Sequence, residues 1–215
     1  MTFPASHPAL DRALSERGYA EPTPVQAAVL EAEAGRDLLV SAQTGSGKTV
    51  AFGLALAPTL LGEAERFEDN ASPVALVIAP TRELALQVSK ELEWLYARTG
   101  ARIATCVGGM DPRAERRVLD RGAAIVVGTP GRLKDHIERD ALDLSQLKAV
   151  VLDEADEMLD MGFQEDLTFI LDQAPAERRT LLFSATIARD IAELARNYQR
   201  DALRIDTTSK NVAHG

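Results

Sequence analysis

Short apolar runs alternate along the chain with longer segments whose apolar residues recur at helical spacing. The runs are Leu38 to Val40, Val74 to Ala79, Arg102 to Val107, Ala124 to Val127, Leu147 to Leu152, Leu181 to Phe183 and Ala202 to Ile205. Most are apolar at nearly every position rather than at alternate ones, which predicts strands covered on both faces. Between them, Leu10 and Leu14 lie four apart and mark a helix over His7 to Arg17 that Gly18 stops. Thr23, Pro24 and Gln26 have the spacing of a capping box, with Thr23 as N-cap and Pro24 at the first helical position. An apolar segment spans Ala51 to Leu61, and Gly62 to Pro73 is a polar surface loop. Thr81 caps a helix carrying Leu84, Val88, Leu92 and Leu95 on one face, and Asp111-Pro112 opens another. The last stripe is Ile187, Ile191, Leu194, Ala195 and Tyr198. Strands alternating with helices predict an α/β fold, an open and mostly parallel sheet with helices on both faces.

At 215 residues, with 46% apolar and 27% charged residues, the chain has the composition of an ordinary globular protein, not a disordered one. No internal repeat or convincing linker divides it. Gly53, Pro58 and Gly62 interrupt the best candidate for a membrane span, and no basic segment followed by an apolar core opens the chain. The expectation is a soluble, cytoplasmic protein without a membrane partner. The single cysteine, Cys106, lies in an apolar stretch and is expected to pack in the core. His7, His136 and His214 are far apart, lack cysteine neighbours at ligand spacing, and are expected at the surface or as caps. The net charge of −9 argues against a broad nucleic-acid-binding face. Locally the balance differs: between Arg98 and Arg121 six arginines face three acids, either a solvated helix face or an anion-binding one.

Small, polar or charged clusters recur just after the strands, at Ser41, Pro80, Gly108, Thr129, Asp153 and Ser184. In open parallel sheets, ligands bind at the edge formed by the C-terminal ends of the strands. The first cluster is Ala42-Gln43-Thr44-Gly45-Ser46-Gly47-Lys48-Thr49, set between a strand and a helix. That context makes a glycine-rich turn a phosphate cradle: Gly45 and Gly47 let backbone amides close on an anion, Lys48 reaches the β- and γ-phosphates, and the Thr49 hydroxyl binds Mg²⁺. Ala42 stands where the general pattern has glycine. Asp153, at the end of a strand, fits the acid that holds Mg²⁺ directly or through water, and Glu154 can orient or deprotonate an attacking water.

Taken together, Gly18-Tyr19 with Pro22 to Gln26, Ala42 to Thr49, Pro80-Thr81-Arg82-Glu83-Leu84-Ala85, Gly108-Gly109, Thr129-Pro130-Gly131-Arg132, Asp153-Glu154-Ala155-Asp156 and Ser184-Ala185-Thr186 resemble, in order and spacing, the motifs of the DEAD-box RNA helicases. Ala42 is the usual residue in that family. The resemblance implies a RecA-like ATP-binding domain with its Q motif over residues 1–207, and the start of an interdomain linker at 208–215. It implies ATP and Mg²⁺ as ligands. Gln26 would read the adenine edge with Thr23 assisting, Phe3 would stack on the base, and Tyr19 belongs to the same nucleotide-binding segment. Asp156, Ser184 and Thr186 would couple hydrolysis to the grip on RNA, Ser184 and Thr186 by bonding to the acidic motif. Single-stranded or duplex RNA would be held through its sugar-phosphate backbone over Pro80, Thr81, Arg82, Gly108, Gly109, Thr129, Pro130, Gly131 and Arg132. Glycine amides and helix N-termini bind phosphate without net positive charge, so an acidic protein can hold RNA. The family also has a second RecA-like domain, which supplies an arginine finger and the other half of the RNA track.

Two other readings fit the same motifs. A DNA helicase of the same superfamily is disfavoured by the glutamine-bearing segment and the Asp-Glu-Ala-Asp run. A non-catalytic RNA-binding scaffold is disfavoured by the joint presence of Lys48, Asp153 and Glu154.

Overall fold

In the computed structural model, which describes residues 2–69 and 71–207, seven strands form one sheet in which every pairing is parallel. The chain opens with α1 (Pro8–Glu16), α2 (Pro24–Glu31), β1 (Leu38–Ser41) and α3 (Lys48–Leu61), followed by β2 (Ala75–Ile78), α4 (Arg82–Leu95) and β3 (Ile103–Cys106). It continues through α5 (Pro112–Arg121), β4 (Ile125–Gly128), α6 (Pro130–Glu138) and β5 (Ala149–Leu152). The last elements are α7 (Ala155–Asp160), α8 (Gln164–Gln173), β6 (Arg179–Ser184), α9 (Arg189–Tyr198) and β7 (Leu203–Asp206). Strand order across the sheet is β3-β4-β2-β5-β6-β1-β7. The expected segment 208–215 and His214 lie outside the described residues.

Alternate side chains of each central strand go to opposite faces, and both faces are apolar. Leu38, Val40, Val77, Val151 and Phe183 join one buried cluster, which α1 to α4 cover; Leu39, Leu76, Val150, Leu152 and Leu182 join the other, which α5 to α9 cover. This two-sided burial is why the strands read as continuous apolar runs. Among the described residues no helix is long and apolar enough to cross a membrane.

Local chemistry sets the helix starts as the sequence predicts. The Thr23 capping box is complete, and Asp111 and Thr81 accept from Arg113 N–H and Leu84 N–H. His7 caps α1, its Nδ1 accepting from Ala9 N–H at 3.2 Å, and Cys106 is buried. His136 departs from expectation: it is fully buried, neither surface nor cap. Three helices, α6, α7 and α8, go beyond what the sequence pattern predicts. Ile187 precedes α9, whose buried stripe is Ile191, Leu194 and Ala195.

Candidate active site

Because every strand is parallel, all their C-terminal ends share one rim. The strand order then divides that rim. The phosphate turn after β1 and the acids after β5 flank β6, while β3, β4 and β2 carry the glycine pair, the Thr129 cluster and the Pro80 cluster. One half gathers nucleotide chemistry and the other the residues expected to meet RNA.

In the first half, Gly45 and Gly47 adopt φ of +83° and +80°, a left-handed backbone that side chains rarely adopt, and Gly47 caps α3. A Cβ on Gly47 would lie 2.5 Å from Gln26 Nε2, so the close approach of Gln26 also demands glycine here. Gln26 is buried, its Nε2 donating to Gly47 O at 3.0 Å and its Oε1 accepting from Thr23 N–H at 2.9 Å. The Thr23 hydroxyl donates to Ser46 O at 2.7 Å. The helix-start chemistry and the bracing of the phosphate turn are thus done by the same two side chains. Gln43, Thr44 and Gly45 are exposed, Ala42 is buried, and the buried Ser46 Oγ has no hydrogen-bond partner.

Lys48, the first residue of α3, extends to the end of β5. Its Nζ lies 3.0 Å from Asp153 Oδ1 and 3.2 Å from Glu154 Oε2. Asp153 has no exposed surface, and neither carboxylate oxygen makes a well-directed hydrogen bond. Burial pushes its pKa up from the usual carboxylate range, an effect that Lys48 opposes and Glu154 reinforces. Glu154 caps α7 with φ +53°, ψ +54°, an uncommon left-handed conformation for a side-chain-bearing residue. A buried carboxylate with unfilled lone pairs, and a buried threonine hydroxyl next in the chain to the lysine that reaches it, are donors a hard cation takes, so the residues present fit Mg²⁺. The unpartnered Ser46 hydroxyl and the glycine turn likewise fit a phosphate.

Thr186 follows β6 within this half of the rim. Its hydroxyl and amide both donate to Asp156 Oδ2, at 3.2 and 3.3 Å. Ser184 differs from expectation, since its hydroxyl donates to Thr186 O at 2.6 Å and not to the acidic motif. Serine thus shapes the turn that presents threonine. Tyr19 stacks on Trp94 of α4 with ring centroids 5.4 Å apart, and Arg17 lies over the same indole, so its ring packs α1 against α4 rather than entering the phosphate turn. Phe3 is half-buried against the core on the α1 to α4 face.

The other half of the rim is held by a network the sequence did not reveal. Glu115, on α5, accepts three hydrogen bonds, each at 2.8 Å, from Val107 N–H, Arg132 Nη1 and His136 Nε2. Arg132 Nη1 also donates to Met110 O, and Arg82 Nη2 approaches Met110 Sδ at 3.6 Å. A Cβ on Gly109, whose φ is +84°, would lie 2.9 Å from Arg82 Nη1. Arg82, Gly109 and Arg132, from three separate motifs, therefore surround one turn. Burial raises the Glu115 pKa, but the bonds from His136, Val107 and Arg132 outweigh it and hold the carboxyl below its ordinary value. Gly108, Gly109 and Gly131 are exposed, Thr81 and Thr129 half-exposed, and Pro80 and Pro130 buried beneath them.

Comparison with known proteins agrees with this layout. The DEAD/DEAH box helicase family model matches residues 23–194. The chain is 43% identical to the DEAD-box ATP-dependent RNA helicase CshA of Bacillus licheniformis, over 94% of its own length and 41% of that protein. It is 41% identical to the ATP-dependent RNA helicase DbpA of Bacillus subtilis, over 99% of its length and 44% of that protein. The crystal structure of a DEAD box protein from the hyperthermophile Methanococcus jannaschii superposes with a TM-score of 0.83 at 37% identity, covering 94% of this chain and 54% of that one. The chain spans less than half the length of these two curated relatives. With the fold, the order of the motifs and the family match in agreement, the chain belongs to the DEAD/DEAH box helicases and has the RecA-like fold of their N-terminal domain.

Proposed function

We propose that this chain is the ATP- and RNA-binding N-terminal domain of a DEAD-box helicase, whose ATP hydrolysis drives local unwinding of RNA duplexes or remodelling of RNA–protein complexes. The observation that carries the reading is the convergence of Lys48, Asp153 and Glu154 within 3.2 Å at the rim of the sheet. The Ala42 to Gly47 turn would wrap the phosphates, and Lys48 would leave its carboxylate partners to neutralise the β- and γ-phosphates. Thr49 and Asp153 would hold Mg²⁺, which supplies charge neutralisation on the phosphates. Glu154, released from Lys48, would orient and deprotonate the attacking water. Gln26 and Thr23 would face adenine while bracing the turn, Phe3 would stack on the base, and Tyr19 would hold the segment in place by its stacking on Trp94. Asp156 and Thr186, with Ser184 behind them, would couple this site to RNA.

RNA would run along the other half of the rim by its sugar-phosphate backbone, over Pro80 to Arg82, Gly108-Gly109 and Thr129 to Arg132. Contacts of that kind carry little sequence preference, and the 2′-hydroxyl distinguishes RNA from DNA. A second RecA-like domain, reached through residues 208–215, would complete the track and supply an arginine finger worth about 10³ to 10⁵ in rate. We place the activity in the cytoplasm. The test compares ATP turnover, with and without single-stranded RNA, between this chain and a version extended through the second domain. The extended protein should show RNA-stimulated turnover and the 215-residue chain very little. Robust RNA-stimulated hydrolysis by the short chain would contradict the proposal.

A further inference from the structure

The arginines of α5 are not absorbed by either half of the rim. Arg113 and Arg117 are exposed and Arg116 half-exposed, and with Asp120, Asp140 and Ala141 they line a groove of about 410 Å³ between α5 and the turn after α6. None of the three arginines forms an ion pair with a carboxylate among the described residues. Their spacing puts like charges at i,i+3 and i,i+4, where they repel and weaken a helix unless an anion lies between them. In a chain of net charge −9 this is an unusual concentration.

The helix that lines the groove starts at the rim. α5 begins two residues after Met110, the residue that Arg82 and Arg132 both touch, and its Glu115 holds Arg132 from behind. The start of the helix is not itself the anion site, because the Asp111 carboxylate already accepts from Arg113 N–H there at 3.0 Å. What remains available is the flank. Arg113 to Arg117 spans four residues, about 6 Å along the axis at about 1.5 Å per residue, and points from the rim toward the opposite edge of the sheet. We infer that this flank takes the RNA backbone onward from the Gly108-Gly109 turn, with Arg113, Arg116 and Arg117 each pairing with a phosphate oxygen. Guanidinium groups suit phosphates through paired N–H donors, and contact with the backbone needs no particular sequence. An acidic protein surface would meet the same charges, but the start of α5 beside the expected RNA track favours nucleic acid.

This inference rests on the RNA-binding reading above, and its test separates the two. Binding of a labelled single-stranded RNA, long enough to leave the rim, is measured over a salt series for the unaltered chain. The same is done for Arg113→Gln/Arg116→Gln/Arg117→Gln and for the charge-matched control Arg12→Gln/Arg196→Gln/Arg204→Gln. Each phosphate contact on a single strand contributes about 0.7 to the slope of log K against log salt, so the α5 triple should lower the slope by about two and weaken binding on the order of 100-fold near about 0.1 M salt. The control should match the unaltered chain in slope, and both variants should match it in nucleotide binding and melt no lower than it does, the α5 triple slightly higher as its like-charge repulsion is relieved. An unchanged slope in the α5 triple, or equal losses in both triples, overturns the α5 contact while leaving the rim intact. Failure of the unaltered chain to bind RNA at low salt removes the RNA reading itself, and this inference with it.

Discussion

Two buried carboxylates, one on each half of the rim, face cations in opposite ways. Glu115 accepts three hydrogen bonds at 2.8 Å and titrates below its ordinary range. Asp153 meets Lys48 at 3.0 Å, accepts no well-directed hydrogen bond, and titrates above its range. A buried charge stabilises only when its lone pairs are satisfied, and otherwise costs desolvation. Glu115 is therefore a finished structural brace, fixing the turn and the arginine that are proposed to meet RNA. Asp153 is an unfinished site whose cost is recovered when a ligand arrives.

The largest effect expected from this contrast follows from removing the finished side. Glu115→Ala would leave His136 Nε2 and the Val107 amide without their acceptor and Arg132 with Met110 O alone, and should destabilise the chain by about 3–5 kcal/mol in urea unfolding. Glu115→Gln, which keeps one acceptor oxygen, should cost less. A loss in Glu115→Ala no larger than that of an exposed substitution would mean that the network does not brace the rim.

Glu115 also marks where sequence reading stops. The strands were legible because burial on both faces leaves a signal local to four or five residues, and the phosphate turn because its glycines, lysine and threonine are contiguous. Lys48 and Asp153 could be paired in advance since each sits beside a recognisable strand end. Glu115 and His136 carry no such mark. They are 21 residues apart on different helices, Glu115 is one acid within an arginine-rich helix, and only the packing of α5 against α6 turns a histidine expected at the surface into a buried partner. Ser184 escaped for a related reason: motif order places it near the acids, but hydroxyl direction is set by the turn, which sends it to Thr186 O. The order of the strands required the pairings themselves.

An intermediate effect should appear on the unfinished side. In Asp153→Asn, Lys48 keeps Glu154 at 3.2 Å, and a neutral amide replaces a buried charge whose oxygens make no well-directed hydrogen bond. The ligand-free variant should unfold within about 1 kcal/mol of the unaltered chain, or slightly above it, as is common where a site trades stability for function. The difference should emerge with ligand. A nucleotide at about 100 times its dissociation constant stabilises the binding-competent chain by about 2.7 kcal/mol, and the Mg²⁺-dependent part of that gain should vanish in the variant, read as the melting shift with and without Mg²⁺. A loss in the ligand-free state as large as that of Glu115→Ala would make Asp153 a structural brace too.

The smallest effect, and the sharpest in sign, is the pH dependence. Glu115 has a folded pKa below its unfolded one, so the unfolded chain binds more protons between the two values; its stabilisation is present above the ordinary carboxylate range and is lost as pH falls through the folded value. Asp153 has a folded pKa above its unfolded one, so its contribution is fully present below the ordinary range and is lost as pH rises through the folded value. Measured by urea unfolding from about pH 4 to about pH 7, the deficit of Glu115→Gln relative to the unaltered chain should therefore widen as pH rises. Asp153→Asn should instead move upward relative to the unaltered chain over the same interval. If both variants drift in the same direction, the two carboxylates are not opposed, and the division of the rim into a completed half and a waiting half fails.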